Sequence, residues 1–310
     1  RNVERGKAVA DQPHSIGNSS SSSTAHGASG ANTQPPTAQN RMLLPVDGPA
    51  QPAALLSAEN EWQLHFAGAQ GKTTLNAADV VQWGQPVEPS AGPLLLLADG
   101  SLIVAEPLDT EKETLRFDSD LFGQQSLPLE ALAAVVFKLP VDRLQRDRFL
   151  DRLLDAPGQS DVTILVNGDE LSGVLESLSE QQAVFRAELG PLKLDRSRLA
   201  AIMLNPALRR GVKRPPLCAL VGFSDGTRLL ATSLELVDQR AEVTPLGGAA
   251  LRADAKQLAW ILPLGGRAVY LSDLEPLEFE HTPFLELIWP YRKDRNVLGG
   301  MLRSAGQLHS

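Results

Sequence analysis

The sequence has almost no cysteine: Cys218 stands alone in 310 residues. A lone thiol excludes an internal disulfide and a cysteine-rich metal site. Aromatic residues are also scarce, at 5% with two tyrosines, so any core has to be built from Leu, Val, Ala and Ile. Cations are outnumbered. Twenty-nine Lys and Arg against 37 Asp and Glu leave a formal net charge of −8. That balance argues against a nucleic-acid or anionic-membrane partner, since either wants a basic face. No apolar run reaches the roughly 20 residues that a transmembrane helix needs. Metal ligands are thin as well: His281 precedes Thr282-Pro283 with no second histidine nearby, so no metal site is expected. No catalytic constellation is visible. The expectation is a protein that is not an enzyme and carries no cofactor. The chain begins at Arg1 rather than at Met, and is expected to be incomplete or processed.

What is present is a run of short strands separated by turns. The clearest stretch is Asp161 to Pro206. Val162, Ile164 and Val166 alternate with Thr163 and Leu165, the period of a strand. Asn167-Gly168-Asp169 supplies a turn, because Asn and Gly tolerate the left-handed backbone. Leu171, Val174, Leu175 and Leu178 continue the pattern, with Gly173 free to bend it. Val184-Phe185, Leu192-Leu194 and Leu199 to Leu204 complete five strands.

The same plan recurs on both sides. Residues 92–140 form a first full repeat, with Asp99-Gly100 in the place of Asn167-Gly168. Residues 141–206 form a helix and a second repeat, and 217–264 a third, turning at Asp225-Gly226. Residues 59–91 look like a partial repeat that begins near Trp62, Leu64 and Phe66. Residues 1–58 are rich in Ser, Gly, Ala, Pro and Gln and read as a disordered tail, since they hold too little apolar surface to offset the entropy of ordering. Asn18-Ser19-Ser20 matches a glycosylation sequon by composition alone. A helix is expected over Val141 to Leu154, after Pro140 and before Pro157-Gly158. Its stripe of Leu144, Phe149, Leu150, Leu153 and Leu154 should pack on the next repeat, with charges facing solvent.

Three local features invite functional readings that their context removes. Gln70-Gly71-Lys72-Thr73 suggests a phosphate loop, but Phe66 stands where that motif needs glycine and no helix follows. A hairpin turn accounts for it. The basic linker Arg209 to Arg214 has no interleaved aromatics for stacking on bases. Cys218 lies among apolar neighbours and reads as a core filler.

Five strands in fewer than 50 residues cannot bury two faces unless the sheet curls, which points to a small barrel. The helix followed by Val166-Asn167-Gly168 and Gly173-Val174-Leu175 resembles the Sm-like and SH3-like small barrels. RNA-binding Sm-like proteins also carry an Asn-type reader in the third strand and an Arg-Gly pair near the last turn. Here those places hold Ala183-Val184-Phe185-Arg186 and Asp195-Arg196-Ser197-Arg198, so the fold resemblance does not bring nucleic-acid binding with it.

Residues 269–310 change character. Val269 to Leu274, His281 to Phe284, Trp289-Pro290-Tyr291-Arg292-Lys293-Asp294-Arg295 and Gly299-Gly300-Met301-Leu302 resemble the opening part of the NPCBM carbohydrate-binding modules. The resemblance implies the start of a jelly-roll β-sandwich, a polysaccharide or glycan partner, and an extracytoplasmic location, although no signal peptide is visible. On chemistry alone, Trp289 and Tyr291 could stack on sugar rings while Arg292 bonds hydroxyls. The expected architecture is therefore mainly β: tandem small antiparallel barrel-like repeats with one helix, a disordered N-terminal tail and an incomplete sandwich at the C-terminus. The expected function is a non-catalytic, multi-module scaffold that binds a glycan, with a protein partner for the repeats. The alternatives are an accessory part of a glycoside hydrolase, whose paired carboxylates would lie elsewhere, and an Sm-like nucleic-acid binder.

Overall fold

Four small barrels are built on one plan. The computed structural model describes residues 41–270 apart from 90, 91, 156, 157 and 189, together with 274, 277, 278, 280, 282 and the backbone of 302–304 and 307–309. Barrel 1 comprises β1 (Arg41–Pro45), β2 (Gln51–Glu59), β3 (Gln63–Gly68), β4 (Gly71–Asn76) and β5 (Val80–Gly84). Barrel 2 comprises β6 (Leu94–Leu97), β7 (Leu102–Val104), β8 (Glu106–Glu111), β9 (Thr114–Ser119), β10 (Gly123–Pro128) and β11 (Leu132–Val136), its long second strand being broken in two. Helix α1 (Arg143–Asp155) follows. Barrel 3 comprises β12 (Asp161–Leu165), β13 (Glu170–Leu178), β14 (Gln182–Ala187), β15 (Gly190–Asp195) and β16 (Leu199–Met203). Barrel 4 comprises β17 (Cys218–Phe223), β18 (Arg228–Val237), β19 (Arg240–Pro245), β20 (Leu251–Asp254) and β21 (Leu258–Leu264). The chain is mainly β and antiparallel, and α1 is the one α-helix among the described residues.

Each barrel closes in the same way. Its first strand pairs with its last: β1 with β5, β6 with β11, β12 with β16 and β17 with β21. A single turn of 3-10 helix leads into each closing strand. In three barrels a side chain caps that turn. The Asn76, Asp195 and Asp254 oxygens accept from the amides of Ala78, Ser197 and Lys256 at 2.8–2.9 Å, which satisfies a donor that the short helix leaves open. The first turns use glycine at positive φ, as at Gly100, Gly168 and Gly226. Gly173 has another reason. A Cβ there would lie 2.7 Å from the Arg186 carbonyl oxygen, so glycine permits close backbone approach, and the irregularity in β13 falls later, between Leu175 and Ser177.

Two expectations about the beginning of the chain need correcting. Strand β1 and all of β2 but its last residue, Glu59, lie in the 1–58 stretch read as a tail, and they complete the unit of 59–91 read as partial. Pro45, Pro49 and Pro52 disguised them. Pro45 ends β1 and Pro52 sits near the start of β2, positions where a missing amide costs the ladder little. Residues 1–40 lie outside the described residues, as does most of 269–310. Of the expected sandwich, only the short pairing of β22 (Leu302–Ser304) with β23 (Gln307–His309) is described.

Barrels also pair with one another, through equivalent residues. Closing strand β5 of barrel 1 runs antiparallel to β21 of barrel 4, with Trp83 opposite Ile261. Closing strands β11 and β16 of barrels 2 and 3 do the same, with Val135 opposite Ile202. All four of these residues are fourth in their strands. Barrels 1 and 4 touch again where Ala58 meets Leu236, each the penultimate residue of its strand. Each pair of barrels is thus related by a local pseudo-two-fold axis.

The outer surface joined across barrels 2 and 3 carries α1. Leu96, Ala134, Met203 and Val162 form one row across β6–β11–β16–β12, and Leu94, Val136, Ala201 and Ile164 the next. Leu150 and Leu153 of α1 are buried against them, with Phe149 and Leu154 alongside. The helix therefore covers two barrels rather than only the next one. Burying a Leu fully contributes roughly 1.5–3 kcal/mol. At the C-terminal end of α1, Arg209 Nη1 donates to the Leu154 carbonyl at 2.8 Å and Nη2 to the Leu153 carbonyl at 3.1 Å. These are carbonyls that the helix itself leaves unpaired, at the negative end of its dipole. Arg143 and Arg146 near the other end reach Glu88 at 2.8 and 3.3 Å.

Candidate functional site

Barrels 2 and 4 meet through their first turns. Asp99-Gly100-Ser101 and Asp225-Gly226-Thr227 have the same chemistry: each Asp accepts a hydrogen bond from the amide two residues on, at 2.8 Å. Each turn then places a hydroxyl oxygen at the junction as an acceptor. Ser101 Oγ accepts from the Leu230 amide at 2.8 Å, and Thr227 Oγ1 accepts from the Val104 amide at 3.0 Å. Val104 and Leu230 are the third residues of β7 and β18, and the first residues, Leu102 and Arg228, pair with each other. The exchange is reciprocal, and Ser101 and Thr227 are both fully buried. Beside it, Phe122 of barrel 2 meets Phe223 of barrel 4 edge to face, with centroids 5.4 Å apart, a favoured aromatic geometry.

The linker after barrel 1 reaches the same turn. A Cβ on Gly226 would lie 2.2 Å from Pro89 Cα, so only glycine lets the linker lie there. Asp225 is desolvated by this packing, and burial pushes its carboxyl above the usual range, with the charge of Asp120 adding a smaller push. Hydrogen bonds from Thr227 offset part of the effect.

Next to the junction lies a cavity of about 240 Å3. Leu97 and Ile103 of barrel 2, Val212 of the linker, and Pro245 and Leu251 of barrel 4 form its apolar lining, and Asp99 and Arg210 bring opposite charges to it. Both charges have partners. Asp99 is held by its own turn, and Arg210 lies 3.7 Å from Glu130. The lining offers no nucleophile beside a base. Its chemistry is that of a mostly apolar recess between barrels. A second hollow, on barrel 4, is lined by Glu235, Val237, Arg240, Glu242 and Arg252. There Arg252 Nε lies 2.6 Å from Glu242.

The sugar-contact residues expected from sequence, Trp289, Tyr291 and Arg292, lie outside the described residues, as does His281. Gln70-Gly71-Lys72-Thr73 belongs to the β3–β4 hairpin, where Gly68 faces Gly71. The basic linker is largely used internally: Arg209 holds α1, Arg210 pairs with Glu130, and Arg214 Nε lies 3.2 Å from Cys218 Sγ. Cys218 is fully buried. As read from the sequence it is a buried filler, on the side of β17 opposite Ala219, Val221 and Phe223. The junction residues Ser101 and Thr227 were not singled out in the sequence. The available signal was the repeated Asp-Gly-hydroxyl tripeptide at the same place in two repeats. Among the described residues no group of three His, Cys, Asp or Glu could hold a metal ion, and no helix is long and apolar enough to cross a membrane. No protein-family model matches the chain, and no curated protein matches it.

Proposed function

We propose that the chain is a non-catalytic interaction scaffold from an extracytoplasmic protein, in which the barrels present surfaces to protein partners and the 269–310 stretch binds a glycan. The supporting observation is where the barrels spend their chemistry. Their closing strands pair with one another, and the hydroxyls of their first turns are buried in the reciprocal exchange between Ser101 and Thr227. Groups used in this way hold modules in fixed relation. The glycan half rests on the aromatic and cationic run of Trp289, Tyr291 and Arg292, residue types suited to stacking on sugar rings and bonding their hydroxyls.

A polysaccharide pull-down and a glycan array on the 310-residue chain test this half. Binding to at least one polysaccharide is expected, and Trp289→Ala with Tyr291→Ala should weaken it about tenfold or more, since aromatic anchors carry most of the energy at such contacts. Absence of binding to any glycan, or full retention in the double variant, would sink it.

A further inference from the structure

The two joined barrel pairs share a four-stranded outer face, but among the described residues only one carries a helix. On barrels 2 and 3 that face lies under α1, and Leu94 and Leu96 are completely buried. On barrels 1 and 4 the equivalent face is β1–β5–β21–β17. Trp83 opposite Ile261 sets its register as Val135 opposite Ile202 sets the other. Met42 and Leu44 therefore take the places of Leu94 and Leu96. They are 44% and 39% exposed. On β5 the row holds Gln82, paired with Leu44, where the other face has Ala134. Beyond it Leu220 pairs with Leu262 and Cys218 with Leu264, so the face is apolar on both sides of Gln82, and these three leucines are half-buried. Trp260 fills one end, its ring so close to β17 that a Cβ on Gly222 would lie 1.9 Å from Nε1. The linker leaves β5 at that end.

Charge placement matches as well. On barrels 2 and 3, Arg209 sits beyond the Met203 row and binds the terminal carbonyls of α1. At the corresponding end of the other face, beyond the Leu262 row, stands Arg214. It is exposed and touches Cys218 Sγ. A guanidinium at that place complements the carbonyl end of a helix laid in the orientation of α1.

We propose that the β1–β5–β21–β17 face is a docking site for an amphipathic α-helix of a partner protein, with a Leu/Phe stripe like that of α1 and its C-terminal carbonyls at Arg214. Met42, Leu44, Leu220, Leu262 and Leu264 receive the stripe, as a helix-in-groove contact does with anchors at helical spacing. The proposal rests on the scaffold half of the functional reading and is independent of the glycan half.

The test uses the full chain and a synthetic peptide of residues 140–156, the α1 sequence, as the probe. The chain has three methionines, Met42, Met203 and Met301. With methyl-13C-labelled methionine, titration of the peptide should shift the Met42 resonance saturably and leave Met203, which lies under α1, in place. Leu44→Asp should weaken binding about tenfold or more, and Arg214→Ala about threefold. Both sites are exposed, and circular dichroism checks that the variants fold. Should Leu44→Asp fail to fold, Met42→Ser replaces it, with binding read by anisotropy of a labelled peptide. No saturable shift of Met42, a shift of Met203 in its stead through exchange with the chain's own α1, or unchanged affinity in the variants would overturn the proposal. Glycan binding measured on the same preparation separates this failure from failure of the carbohydrate reading.

Discussion

At the scale of single residues, the junction of barrels 2 and 4 depends on two hydroxyls. Ser101 Oγ accepts the buried Leu230 amide and Thr227 Oγ1 the partly buried Val104 amide, each from the opposite barrel. Removing either leaves an amide without its acceptor at a junction wholly or partly shielded from water, which costs about 1–3 kcal/mol. Ser101→Ala and Thr227→Val should therefore each lower stability by that amount, measured as a urea midpoint with unchanged slope. The two sites share one interface, so the double variant should depart from additivity. A loss below about 0.5 kcal/mol for both single variants would show that the exchange is not what holds the turns together. Sequence could show the Asp-Gly-Ser and Asp-Gly-Thr turns, because Gly and Asp mark such corners locally. It could not show that they meet, since residues 101 and 230 are far apart in the chain and nothing local records their contact.

At the scale of elements, the closing strand is the repeated part with the most uses. It seals its own barrel through one edge and joins a second barrel through the other. Leu132-Ala133-Ala134-Val135-Val136 and Leu199-Ala200-Ala201-Ile202-Met203 are nearly the same sequence, because both face a core on one side and α1 on the other. The strands, the first turns in barrels 2 to 4 and the helix were legible from alternation, Asn-Gly or Asp-Gly pairs and a 3.6-residue stripe. Strands β1 and β2 were not, because three prolines within eight residues outweigh the short apolar run Met42-Leu43-Leu44. The sugar-contact residues were legible as residue types only. Helix α1 shows what the local pattern omits: its span follows from its own stripe, but its position across two barrels depends on Arg209, which lies past the whole of barrel 3. Arg209→Ala removes the donors to Leu153 and Leu154 and should cost about 2–3 kcal/mol, since these are hydrogen bonds from a charged group. Arg209→Lys should recover only part, because an ammonium cannot reproduce the planar fork. Thermal denaturation followed by circular dichroism checks both, and a wild-type melting temperature in Arg209→Ala would remove the arginine from this role.

At the scale of the molecule, strand pairing links the barrels in the order 1–4–2–3, which differs from their order in the chain. Barrels 4 and 2 each pair with two others, while barrels 1 and 3 pair with one. The consequence is uneven stability, because a module with fewer neighbours opens without breaking the rest. Barrel 3 is the weaker end. Its long strand β13 alternates exposed and half-buried residues and buries only Leu178, whereas β18 of barrel 4 buries Leu229, Leu230, Ala231, Leu234 and Leu236. Hydrogen exchange followed by mass spectrometry should therefore find the amides of β13, β14 and β15 exchanging about tenfold or more faster than those of β17, β18 and β19, as expected for sub-global opening of a less buried unit. Closing strand β16, clamped between β12 and β11, should stay with the slow set although it belongs to barrel 3. Uniform protection across barrels 3 and 4 would mean that the four barrels unfold as one cooperative body. Fast exchange in β16 would mean that the pairing of closing strands, for all its regularity, contributes little to holding barrel 3 in place.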